Sequence, residues 1–178
     1  MIVTIFQYAR AGLLASGAVV LAQVAGASAT SAAPLEVMLI NARTGKCLTV
    51  AGGVTPNNNH PIVQFDCDTD PSRRWRLNER STGIFQIRNV RTGKCLTIAG
   101  GITPNNNHPA VQFDCDSHPS RTWRIGDVTG NGVHQIRNVQ TGKCVTTAGG
   151  TTSDNNHPSV QFDCDSDESR RWTMRLKL

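Results

Sequence analysis

The sequence is short of most features that announce an activity. Only 5% of its 178 residues are aromatic, with a single tyrosine, and only 17% are charged. A hydrophobic share of 38% is too small for a bundle of membrane helices, while the modest charge and ordinary glycine content exclude a disordered or collagen-like chain. No window carries helical periodicity over several turns. No Gly-x-Ser-x-Gly, His-Glu-x-x-His or phosphate-loop pattern occurs, and residues 126–132 lack the spaced acids of a calcium loop. The formal charge of +5, from 18 basic and 13 acidic residues, is too small an excess to argue for nucleic acid. The length allows one domain, or two small ones.

What is present begins with a leader. Residues 1–29 hold no acid and one base, Arg10, followed by a run of small apolar residues that ends in Ala27-Ser28-Ala29. This reads as a secretory signal peptide cleaved after Ala29, with Ala32 and Ala33 as secondary ends. A retained membrane anchor fits less well, because Gln23 interrupts the run and no basic cluster follows. The expected mature protein is extracellular, without stable membrane insertion. Loss of Arg10 leaves 17 bases against 13 acids, a charge of +4.

The remainder repeats itself. Residues 47–76, 95–124 and 144–173 align without gaps: the second matches the first at 24 of 30 positions, and the third matches the second at 20 of 30. Agreement at that level makes one structural unit in three copies the only economical reading. The expected divisions are a linker at 30–36 and units at 37–82, 83–131 and 132–178. Within a unit, the pattern predicts strands at 85–89, 95–98, 111–115 and 121–125, with Gly100-Gly101 and residues 104–109 as loops. Four strands in each of three units give an all-β protein of twelve strands. One unit cannot bury both faces alone, so the copies must close on each other, as a barrel with a hairpin cap or, less economically, a three-bladed propeller. Trp75, Trp123 and Trp172 belong to the core.

Each unit holds two cysteines 20 residues apart. Equivalent units should make equivalent bonds, which selects Cys47–Cys67, Cys95–Cys115 and Cys144–Cys164 out of the fifteen connectivities open to six cysteines. The rival reading, a cluster of thiolates on a metal, lacks any Cys-x-x-Cys pair.

The in-unit cysteine pair and the closing Arg-x-Trp (Arg73, Arg121 and Arg170 before Trp75, Trp123 and Trp172) resemble the ricin B-type lectin family, whose corresponding motif is Gln-x-Trp. The resemblance covers residues 37–178 and implies a β-trefoil that binds carbohydrate. In that family the sugar site combines an Asp two residues after the first cysteine, a Gln four before the second, an aromatic two before it, and an Asn-Gln pair opening the motif. Those positions hold Thr49, Thr97 and Thr146; Val63, Val111 and Val160; Phe65, Phe113 and Phe162; Ser72, Ser120 and Ser169; and Arg73, Arg121 and Arg170. Only the aromatic is retained.

What stands in the vacated places has binding chemistry of its own. Strand alternation puts Val63, Phe65 and Cys67 on one side and Gln64, Asp66 and Asp68 on the other. The expected site is one shallow pocket per unit: Thr49, Asn58, Asn59, His60, Phe65, Asp68 and Arg73 in the first. The second would hold Thr97, Asn106, Asn107, His108, Phe113, Asp116 and Arg121, and the third Thr146, Asn155, Asn156, His157, Phe162, Asp165 and Arg170. Amides and carboxylates supply directed donors and acceptors, and a ring face suits the apolar side of a sugar. Structural roles compete: Phe65 as core, the Asn-rich loop as a turn, Asp68 and Arg73 as an ion pair. Paired carboxylates such as Asp66 and Asp68 serve glycosidases, but three equivalent surface copies suit binding better than catalysis. The reading is therefore a secreted, non-catalytic lectin, expected as a monomer without cofactor or metal. Its partner would be a glycan or polysaccharide, acidic ones included, and not nucleic acid. The alternative is a non-lectin β-trefoil module, such as a toxin delivery subunit or an inhibitor.

Overall fold

The computed structural model describes residues 35–176, so the leader read over 1–29 lies outside them. Each repeat unfolds into the same four strands. The first gives β1 (Leu35–Asn41), β2 (Cys47–Val50), β3 (His60–Phe65) and β4 (Trp75–Ser81). The second gives β5 (Ile84–Asn89), β6 (Cys95–Ile98), β7 (His108–Phe113) and β8 (Trp123–Asp127), and the third β9 (Val133–Asn138), β10 (Cys144–Thr147), β11 (His157–Phe162) and β12 (Trp172–Leu176).

Predicted boundaries move most in the third and fourth strands of a unit. The third strand of a unit starts at the histidine, not three residues later, and takes in the proline after it. Pro109 is tolerated there because the ladder asks it only to accept: its carbonyl takes the Ala99 N–H at 2.9 Å. The fourth strand starts at the tryptophan, because Pro71–Arg73, Pro119–Arg121 and Glu168–Arg170 form single 3-10 turns. Each turn is capped by the residue before it, which accepts the serine N–H, and that cap holds the arginine off the strand.

The strands sort into two layers. β1, β4, β5, β8, β9 and β12 pair antiparallel around a closed ring, β1 with β4, β4 with β5, and onward until β12 returns to β1. The hairpins β2–β3, β6–β7 and β10–β11 cap one end. Their inner strands β3, β7 and β11 each pair with the other two around the pseudo-threefold axis. Pairing between units at both layers excludes a bladed propeller and leaves few free edges. Trp75, Trp123 and Trp172 are fully buried, and their indole N–H groups donate to Leu48, Leu96 and Val145 carbonyls at 2.8, 2.8 and 3.0 Å. Around them pack Leu39, Ile87, Ile136 and their neighbours. All six cysteines are bridged in the three in-unit pairs, which removes the thiolate-cluster reading.

Candidate functional site

At the end of β2, Thr49 is buried with its hydroxyl donating to the Ser72 carbonyl at 3.0 Å. Ser72 sits in the 3-10 turn, where its N–H donates to the Asp70 carboxylate at 2.8 Å. Arg73 follows and lies over the Phe65 ring, its guanidinium carbon 4.4 Å from the ring centroid. Its Nε is 3.1 Å from the Asp68 carboxylate, and one Nη donates to the Ser72 hydroxyl at 3.0 Å. Gly52-Gly53 line the same concavity. A Cβ on Gly53 would come within 3.1 Å of the Ser72 hydroxyl, and its φ of +76° is open to few other residues. The same constellation recurs: Arg121 over Phe113 and Arg170 over Phe162 at 4.4 Å, Thr97 and Thr146 on the Ser120 and Ser169 carbonyls.

Each constellation lines an open concavity, of about 400 Å³ in the first and second units and about 310 Å³ in the third. One lining residue comes from elsewhere. Asn156 of the third unit borders the first concavity, Asn59 of the first unit borders the second, and Asn107 of the second borders the third. Every site is thus built by two units, in cyclic order. These asparagines are the only described non-glycine residues with positive φ, at 61–63°. Their backbone N–H groups donate to the carbonyls of Gln64, Gln112 and Gln161 at 2.8–2.9 Å, and their exposed carboxamides have no hydrogen-bond partner among the described residues.

The glutamines themselves are clamps. Gln112, fully buried beside the threefold axis, donates to the Thr55 and Asn57 carbonyls at 2.6 and 2.9 Å and accepts the Thr92 hydroxyl at 2.8 Å. Gln64 holds Thr152 and Asp154 in the same way, and Gln161 holds Thr103 and Asn105. The loop of one unit is thereby fixed against the site of the next.

Of the residues expected in each pocket, the structure brings together the threonine, phenylalanine and arginine. Asn58, Asn106 and Asn155 are turned away, donating at 2.7 Å to Asp114, Asp163 and Asp66 of a neighbouring unit, whose other oxygens face Lys94, Lys143 and Lys46. Asn58, then Lys94, hold the Asp114 carboxyl below its ordinary range, and the two equivalent aspartates follow suit. His60, His108 and His157 bond through Nε2 to the carbonyls of Ala51, Ala99 and Ala148, bracing the Gly-Gly turn. Asp68, Asp116 and Asp165 pair with Arg73, Arg121 and Arg170 at 3.1–3.3 Å and do not line the concavities. They orient the guanidinium from behind. Sequence reasoning missed Asp70, His118 and Asp167, which cap the turn at the pocket wall, although Asp70-Pro71-Ser72 has the composition of a cap. The Ser169 N–H, then its hydroxyl, lower the Asp167 carboxyl to about 2.

Comparison with curated proteins returns no match. Solved structures do match. The designed 3-fold symmetric protein ThreeFoil aligns at 17% identity and a TM-score of 0.75, over 80% of this chain and 99% of its own. An exo-β-1,3-galactanase from Clostridium thermocellum aligns at 22% identity and a TM-score of 0.75, over 80% of this chain but only 30% of the galactanase. The Macrolepiota procera ricin B-like lectin, solved in complex with lactose, aligns at 16% identity and a TM-score of 0.68, over 81% and 96% of the two chains. At these identities the likeness establishes the fold, a β-trefoil. The family model for the ricin-type β-trefoil lectin domain matches residues 36–172, and the chain belongs to that family.

Proposed function

We propose that the protein is a secreted lectin without catalysis of its own, binding carbohydrate at up to three pseudo-equivalent, individually weak sites. The observation that carries this is the repeated concavity: a guanidinium stacked on an aromatic ring, a buried hydroxyl network, and an uncommitted carboxamide delivered by the adjacent unit. Small polar ligands are held by a few convergent donors and acceptors beside an apolar surface, and each concavity offers that. One face of Phe65 is covered by Arg73, so a sugar meets the stacked pair as a unit. Lactose in the Macrolepiota procera lectin supports the ligand class. Three shallow sites on one rigid monomer favour ligands displayed many times on a surface.

The test compares a densely glycosylated surface with the same sugar free in solution. Multivalent engagement gives apparent affinity on the surface about 10²–10⁴ times that for the free sugar. Equal affinities would leave one working site and overturn the multivalent reading.

A further inference from the structure

The three concavities are not chemically equal. In the first and third the 3-10 turn is capped by a carboxylate, Asp70 or Asp167, and in the second by His118. The carboxylate oxygens that accept the serine N–H lie 3.7 Å (Asp70) and 3.2 Å (Asp167) from the guanidinium of Arg73 and Arg170. His118 faces Ser120 through Nδ1, 3.2 Å from the backbone N–H and 2.8 Å from the hydroxyl; with Nδ1 accepting, a neutral ring carries its hydrogen on Nε2, which has no partner among the described residues. The imidazole lines the second concavity, its Cε1 3.6 Å from where a Cβ on Gly101 would stand.

The surroundings change with it. Arg91 pairs with Asp70 at 3.2 Å and Arg43 with Asp167 at 3.3 Å, whereas Gln140 occupies the matching place facing the second unit. The pair Asp–Arg has become His–Gln, which cancels in net charge but not in position. The carboxylate lines its concavity and the seam arginine does not, so the nearer charge dominates what a ligand feels. Arg121 keeps a single carboxylate partner, Asp116 at 3.2 Å.

We propose that the second concavity selects sugars carrying an anionic group, a carboxylate or a sulfate, while the first and third take neutral sugars. This rests on the carbohydrate reading above. An acceptor-only carboxylate at the wall repels such a ligand; an imidazole N–H, the Arg121 guanidinium and the Asn59 amide all donate to it.

The test uses the full chain labelled with ¹⁵N, with the amides of Ser72, Ser120 and Ser169 reporting on the three sites. The probes are matched: galactose, galacturonic acid and galactose 6-sulfate, then glucose and glucuronic acid. The acidic members are expected to shift the Ser120 amide at least about tenfold more tightly than their neutral partners, an advantage that raised salt erodes. His118→Asp, which installs the cap of the other units and so preserves the turn, should abolish that preference. Asp70→His should create it at Ser72. Response to the uronic acids alone identifies a carboxylate ligand, and response to the 6-sulfate alone a sulfate; both support the proposal. Neutral sugars shifting Ser72 and Ser169 without acidic preference at Ser120, or a preference that survives His118→Asp, overturns this proposal alone. Silence at all three amides with every probe overturns the carbohydrate reading itself.

Discussion

Gln112→Leu tests how the sites are assembled. The substitution keeps most of the buried volume but removes three hydrogen bonds, from Thr92 and to Thr55 and Asn57. At about 1 kcal/mol net per bond, the protein should lose about 3 kcal/mol of stability. For a domain of this size that corresponds to a fall in Tm of about 6–12 °C. The Thr55 and Asn57 carbonyls lie in a surface loop, and water reaching them returns part of the loss, so about 1 kcal/mol is the floor. The binding effect is more specific. The released loop carries Asn59, which borders the second concavity, so the second site should weaken while the first and third hold. Urea unfolding followed by tryptophan fluorescence gives the stability, and sugar titration with per-site amide readout gives the binding. A loss under about 1 kcal/mol together with undiminished binding at the second site would refute the clamp.

Other expectations follow from the same contacts. Asn107→Gly keeps the left-handed backbone and deletes the carboxamide, so stability should change by only a few tenths of a kcal/mol while sugar affinity at the third site falls; an unchanged affinity makes that asparagine a turn residue alone. Reduction of the three bridges should cost on the order of 3 kcal/mol for each loop of 20 residues, read as a drop in urea midpoint with reductant. Asp66, Asp70, Asp114, Asp163 and Asp167 titrate below their ordinary range in the folded state, so their stabilisation is complete above about pH 5 and is lost as pH falls toward the native values, about 2 for Asp167. The urea midpoint should be level from pH 7 to about 5 and decline below it; a decline beginning near neutrality would point to other groups.

The fold was readable because the repeat aligns without gaps and its core residues recur with it. Trp75, Trp123 and Trp172 are buried as their spacing required, and in-unit cysteine pairing follows from equivalence. Strand alternation served less well on β3: Val63 and Gln64 are both buried, because β3, β7 and β11 converge on the axis and leave neither face open. The site was half legible. Thr49, Phe65 and Arg73 come together within one unit, where local spacing is informative. Asn59 serves the second unit, a placement created only when the three copies close around Gln64, Gln112 and Gln161. Nothing within one unit's sequence records which neighbour its loop will meet. The Asp68 carboxylate suits a ligand by its chemistry, yet it is committed to Arg73 at 3.1 Å, the ion pair that competes with that role.

The most direct test of carbohydrate recognition at composite sites is a glycan array read with the wild-type chain and with Asn59→Gly, Asn107→Gly and Asn156→Gly combined. Both proteins should melt at nearly the same temperature, since glycine accepts the left-handed backbone. Wild-type binding to a restricted set of glycans, lost in the folded triple variant, is the predicted result. A wild-type chain that binds no glycan, or a triple variant that binds as the wild type does, would contradict it.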